Sequence, residues 1–276
     1  MQYQQRRSRA PRLIIGVVIA GIAFISYLSA RTPNPVTGEL QHVAMTPADE
    51  VALGLHSAPQ MAQAFGGLDP DRAGQARVDA VGARLLQAGL GKETPYRFEF
   101  HLLADPKTVN AFALPGGQVF ITRALFDRLK SDGQLAGVLG HEIGHVLERH
   151  GAQHLAKQNL TQGLVGAVAV GASDPNNPRS GAAAAALAAA AAQLINMRYG
   201  RDDELESDGW GVELLSRAGY DPRAMIEVMK ILASASDGQG PPEFFSTHPN
   251  PENRIGRIEE AISKVYPNGV PSGLQP

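Results

Sequence analysis

The chain has 276 residues, 43% hydrophobic and 19% charged, with a formal net charge of -2 at pH 7. That length holds one well-buried domain with additions, and a near-neutral balance with no excess of positive charge sets aside nucleic acid as a partner. There are no cysteines, so disulfides, a thiolate metal site and a lipidated cysteine are excluded, and any metal has to be held by His and carboxylates.

Arg6, Arg7, Arg9 and Arg12 precede an uncharged run at 13–30. The run is just long enough to span a bilayer as a helix, and the basic cluster before it predicts a cytoplasmic amino terminus with the rest of the chain outside. A cleaved signal peptide competes, but Leu28, two residues before Ala30, spoils the small-x-small cleavage pattern and favours an anchor over residues 1–30. Residues 31–45, with Pro33, Pro35 and Gly38, read as a linker.

A domain over 46–265 opens with Thr46 as N-cap, Pro47 at the first helical position and Asp49 and Glu50 in the first turn. That helix is expected to end near Gly66 and Gly67, and Val78, Val81, Leu85 and Leu86 mark a second helix over 71–88. The stretches 96–103, 109–114 and 118–122 predict a small antiparallel sheet, the last two joined around Pro115, Gly116 and Gly117. Ser131 with Gln134 has the form of a capping box, and Leu135, Val138, Leu139, Val146 and Leu147 mark a helix running to His150, stopped by Gly151. A Pro- and Asn-rich loop is expected at 173–181, and the alanine run 182–192 is helical by propensity, leading into a helix that ends at Gly219. Asp221-Pro222 and Asn250-Pro251 start two more helices, and 266–276 reads as a loose tail.

The string His141-Glu142-Ile143-Gly144-His145 falls inside the helix that Ser131 caps. Two His four residues apart share one helical face, ~6 Å apart along the axis, so two imidazole nitrogens can converge on one cation. Glu142 is offset from that pair and can stay out of the coordination sphere to take a proton from metal-bound water. Buried or solvated structural His would also account for the pair. They would not account for Gly140 and Gly144, poor helix formers that let another segment approach closely.

A catalytic zinc centre takes three protein donors and leaves one position open, with two His and one Glu among the standard sets. The best third donor lies in the acidic stretch 201–208. Glu204 and Asp208 are one turn apart, so Glu204 can bind metal while Asp208 accepts a hydrogen bond from a ligand imidazole. Asp203 and Glu206 are rival donors on other faces, and an acidic solvated helix face is the competing explanation. Asn110, Ala111, Phe112 and Ala113 are expected on an edge strand that can pair with an extended substrate backbone, against a plain hairpin. His150 and His154 form another i, i+4 pair with no useful acid between them, and are read as structural or exposed.

Together the HEIGH string with Arg149-His150-Gly151, the segment from Asn110 to Gly117, Glu204-x-x-x-Asp208, and Thr247-His248-Pro249 with Arg254-Ile255 resemble, in this order, the HtpX and CAAX-prenyl-protease-like zinc metallopeptidases. The resemblance covers about 46–262 and comes nearest the exported single-domain and BepA-type members. It implies Glu204 as third ligand, although Ser207 stands where the family has Ala. It also suggests His248 as a fourth, inhibitory ligand or an oxyanion stabiliser, where a loop His packed on Pro249 would otherwise serve.

The expected fold is therefore α+β: a mostly helical zincin-type metallopeptidase domain with a small antiparallel sheet, behind an amino-terminal transmembrane helix. The expected function is hydrolysis of peptide bonds in unfolded or damaged envelope proteins, with one Zn2+ per chain on His141, His145 and Glu204, and Glu142 as general base. The expected location is the periplasmic face of an inner membrane. The alternative is an envelope chaperone or assembly factor with a gated or structural zinc site.

Overall fold

The computed structural model describes residues 10–89, 94–172, 198–235, 242–249 and 253–276. The loop expected at 173–181, the alanine run 182–192 and the helix start at Asn250-Pro251 lie outside them.

Helix α1 (Ala10–Ser29) packs along α6 (His150–Ala172). Among the described residues no helix is long and apolar enough to cross a membrane, so they lend the expected transmembrane helix no support.

The expected linker is also folded. Strands β1 (Arg31–Pro33) and β2 (Leu40–His42) form an antiparallel hairpin. Two buried amides pin it to the end of α5 (Asp132–Leu147): Asn34 Nδ2 donates to the Leu147 carbonyl at 2.8 Å and Gln41 Nε2 to the Glu148 carbonyl at 3.0 Å. The end of a helix leaves such carbonyls without intrahelical partners, and the hairpin supplies them.

Helix α2 (Pro47–Ala64) starts as its sequence requires, with Thr46 and Asp49 exchanging the two bonds of a capping box. Helix α3 (Arg72–Gly89) buries Val78, Val81 and Leu85 at helical spacing. The sheet of β3 (Glu99–Leu103), β4 (Ala111–Leu114) and β5 (Gln118–Thr122) has the order β3-β5-β4. It is mixed rather than antiparallel as expected, because β5 runs parallel to β3 and antiparallel to β4. The cause is the turn at Gly116 and Gly117, whose carbonyls accept from Arg97 N and Glu99 N, each at 3.0 Å, and so lay the start of β5 beside the start of β3. A Cβ on Gly117, at φ +113°, would lie 2.6 Å from the Arg97 carbonyl oxygen, so only glycine allows this approach.

Thr122 caps the short α4 (Arg123–Phe126), and Ser131 Oγ accepts from Gln134 N to cap α5. Helix α5 is buried from Gly133 to Leu147 but for Gln134 and is the spine of the molecule. It ends at Leu147 instead of His150, and Gly151 stops nothing, since α6 begins at His150 and runs through it. The break falls at Arg149, whose φ of 59° is left-handed. Its buried guanidinium binds Glu50 Oε1 and the Met45 carbonyl, which holds the strained turn in place.

The largest face of α5 packs against α7 (Arg201–Arg217), and small residues decide how closely. A Cβ on Gly144 would meet Ser207 Cα at 2.9 Å, and one on Gly140 would meet Gly211 Cα at 3.3 Å. Helices α8 (Ala224–Ser234), α9 (Glu243–Thr247) and α10 (Arg254–Val265) complete the α+β domain. The tail at 266–276 is docked rather than loose: Gln275 N donates to the Gly219 carbonyl and Gly133 N to the Pro276 carbonyl, at 3.0 and 2.9 Å.

Candidate metal centre

Because α5 and α7 approach so closely, Glu204 on α7 reaches the imidazoles of His141 and His145 on α5. The two Nε2 atoms are 3.0 Å apart, and Glu204 places Oε2 3.5 Å from the first and Oε1 3.5 Å from the second. His248, immediately after α9, brings Nδ1 to 3.3 Å from His141 Nε2 and 3.0 Å from Glu204 Oε1. All four side chains are buried, and one donor atom from each lies within 4.8 Å of the others. Donors at ~2.0–2.1 Å from a tetrahedral zinc are ~3.3 Å apart, so these separations fit such an ion. Glu204 Oε2 is buried without a hydrogen-bond partner, as a metal donor would be.

Each imidazole is oriented from behind. His141 Nδ1 lies 2.9 Å from Asp208 Oδ1, and Arg254 grips both oxygens of that carboxylate, Nε to Oδ2 at 2.7 Å and Nη2 to Oδ1 at 2.8 Å. Arg254 Nη1 also stands 2.9 Å from Glu204 Oε2, a charge contact whose angle is too poor for a hydrogen bond. His145 Nδ1 is 2.9 Å from His150 Nδ1. Of the second pair, read as structural or exposed, His150 is fully buried behind His145, and His154 Nε2 pairs with Asp203 Oδ2 at 2.9 Å. The rival donors Asp203 and Glu206 face this second pair of His and stay out of the cluster.

Burial sets the electrostatics. It pushes the Glu142 carboxyl above its ordinary range against the pull of His248 and His141, and it drives His145 well down, toward the neutral ring that a metal ligand must be. Burial acts upward on Asp208 as well, but the Arg254 charge outweighs it and holds that carboxyl below the usual range. Glu142 stands beside the donors and outside them: its Oε1 is 3.7 Å from His248 Nε2, and neither oxygen has a hydrogen-bond partner.

Strand β4 lies at the sheet edge as expected, and Ala113 and Leu114 line a cavity of about 10 Å³ together with His145, Arg149 and Tyr199. Asn110, Ala111, Phe112 and Ala113 are nevertheless all buried. Two aromatic rings help cover the centre: Tyr199 stacks on His145 at 3.9 Å and Phe244 on His248 at 4.4 Å between centroids. Neither ring was legible as a site residue, because nothing in the spacing around a lone aromatic says what it faces. The role of Arg254 had a signal, its place in the Arg254-Ile255 motif, but its bond to Asp208 is a contact between distant segments.

A pair of His on one helix, a Glu from a later helix packed against it and a neighbouring free carboxylate define a metallopeptidase centre of the HExxH type. The profile of Peptidase family M48 matches residues 72–262, and the chain belongs to that family. It is similar to the beta-barrel assembly-enhancing protease of Yersinia pestis, 30% identical over 266 residues, 94% of this chain and 53% of that protein. The protein of the same name from Escherichia coli (strain K12) is 33% identical over 198 residues, 71% of this chain and 40% of that one. The mitochondrial metalloendopeptidase OMA1 of Schizosaccharomyces pombe is 33% identical over 174 residues, 61% and 48% of the two chains. The chain spans about half the length of the curated relatives it matches.

Proposed function

We propose that this metallopeptidase is a zinc-dependent endopeptidase acting on unfolded or damaged proteins of the cell envelope, with His141, His145 and Glu204 as donors for one ion and Glu142 as general base. The observation that carries the reading is the position of Glu142, buried beside three convergent donors with both oxygens free. Zinc held there would supply a Lewis acid that makes a water nucleophilic near neutral pH and polarises a carbonyl. The protein supplies the rest. Glu142, with its pKa raised by burial, takes the proton of the attacking water more readily than a surface carboxylate and returns it to the leaving amine. Asp208, clamped by Arg254, keeps the His141 ring turned toward the donors.

Ala111, Phe112 and Ala113, following Asn110, give an edge-strand backbone whose Ala113 lines the same cavity as His145, and an extended peptide can pair along it once the covering residues move. Pairing through backbone tolerates many side chains, which suits unfolded clients. The envelope location, with the domain on the periplasmic side of an inner membrane, is supported by Arg6, Arg7, Arg9 and Arg12 ahead of the apolar residues of a helix that exposes Ile14, Val17, Ile22 and Ile25.

A second reading, a chaperone or assembly factor with a gated zinc site, is favoured by the burial of every donor and by His248 at the fourth position. One set of measurements separates the two: zinc content of the purified chain, and casein digestion with and without a chelator. Wild type should bind one zinc and digest casein, and Glu142→Gln should bind zinc and digest nothing. Full activity in Glu142→Gln would remove the mechanism. Unimpaired rescue of a deletion strain by that variant would instead favour the chaperone.

A further inference from the structure

A polar chain leads away from the donors behind His145. From His145 Nδ1 it passes 2.9 Å to His150 Nδ1, and from His150 Nε2 it passes 3.0 Å to Glu206 Oε2. Ser207 Oγ also approaches His150 Nδ1, at 3.4 Å. The His150 side chain is fully buried, whereas that of Glu206 is 51% exposed, so the chain begins at the centre and ends in solvent.

Its sense follows from hydrogen counting. Two ring nitrogens at hydrogen-bonding distance cannot both carry a proton or both lack one. His145 turns Nε2 toward the other donors, so as a metal ligand it keeps its proton on Nδ1. His150 Nδ1 is then bare and accepts, with Ser207 Oγ able to donate to the same atom. The His150 proton sits on Nε2, where the Glu206 carboxylate receives it.

We infer that His150 is a positioning residue, a neutral imidazole that locks His145 in the tautomer able to bind metal, with Glu206 setting the direction of the chain from the surface. This rests on the reading of His145 as a metal donor. The two imidazoles of the centre are thus supported by different devices. His141 leans on a carboxylate that a buried Arg254 neutralises, and His145 leans on an uncharged ring whose own partner is in water.

Packing alone would ask something else of position 150. Leucine would fill the space and offer no acceptor, whereas asparagine places Oδ1 near the position of Nδ1. The full chain and its His150→Leu and His150→Asn variants are loaded with zinc and titrated with a chelator of known affinity. Cobalt-substituted samples give visible spectra, and thermal unfolding is followed without metal. The positioning role expects His150→Leu to hold zinc ~10–100-fold more weakly with altered cobalt bands. It expects His150→Asn to stay within a few-fold of wild type, although leucine is at least as stable as asparagine in the metal-free proteins. Should the leucine variant not fold, His150→Ala is compared with His150→Asn in the same way. Wild-type affinity in the variant lacking the acceptor, or affinity that follows stability instead of the acceptor, overturns the inference. A wild-type chain that binds no zinc, or a His145→Ala chain that binds it as well as wild type, would instead defeat the assignment of the donors.

Discussion

At Asp208 two demands meet, since one carboxylate accepts from His141 Nδ1 while Arg254 binds both of its oxygens, all in the interior. Removing one member of a buried charged set leaves the other without compensation, which costs about 3–5 kcal/mol. Asp208→Asn should therefore destabilise the metal-free protein by about that much in urea unfolding at pH 7 and weaken zinc binding. The sign with pH follows from the pKa. Because folding lowers it, this stabilisation is present above the unfolded carboxylate range near ~4 and disappears as pH falls through the lower folded value. The gap between wild type and Asp208→Asn should thus shrink on acidification, and a gap independent of pH would refute this account. Glu204→Ala belongs to the same scale. It removes a donor and leaves the Arg254 charge short of one partner, so zinc content should fall to background and equilibrium dialysis would register it.

Among the elements, the contact between α5 and α7 decides whether a centre exists. A side chain on Gly144 would run into Ser207 Cα at 2.9 Å and Trp210 Cβ at 3.0 Å, atoms that cannot move without shifting the helix that carries Glu204 and Asp208. Gly144→Val is expected to cost about 1–3 kcal/mol in unfolding, as overpacking does. It should also weaken zinc binding although no donor has changed. Wild-type zinc affinity in a stably folded Gly144→Val protein would mean that this approach does not set the geometry. The break at Arg149 works alongside it: by turning the chain between α5 and α6 it brings His150 behind His145, which a continuous helix would not do.

In the molecule as a whole, the centre is closed and one helix is conspicuously apolar. His248, seated against His141 and Glu204 and stacked on Phe244, takes the fourth place in the donor group. As a cap, it should raise casein digestion when replaced by alanine; as an oxyanion stabiliser, it should lower digestion by ~10²–10³-fold on removal. The geometry favours the cap, and an initial-rate assay on His248→Ala decides. Helix α1 leaves Ile14, Val17, Ile22 and Ile25 more than 60% exposed. A face of that kind is a membrane or protein contact, and the full chain should float with anionic liposomes while a chain lacking residues 1–29 should not. Retention after alkaline carbonate would indicate insertion rather than surface binding, and failure of the full chain to float would end the membrane proposal.

Local chemistry was readable along the chain. The N-cap at Thr46, the helix of α3, the cap at Ser131 and the pairing of His141 with His145 rest on spacings within a few residues, and the i, i+4 geometry of one helix already brings two nitrogens together. Gly140 and Gly144 also announced a close neighbour. Which carboxylate would meet the imidazoles was open by spacing alone, because Asp203, Glu204 and Glu206 lie within a single helical turn, and only the crossing of α5 and α7 selects the face. The mixed sheet, the docked hairpin and tail, the place of His150 behind His145, the bond of Arg254 to Asp208 and the closure by Tyr199 and Phe244 came from tertiary structure alone. Each depends on segments far apart in sequence, and a spacing rule carries no information about which of them will touch.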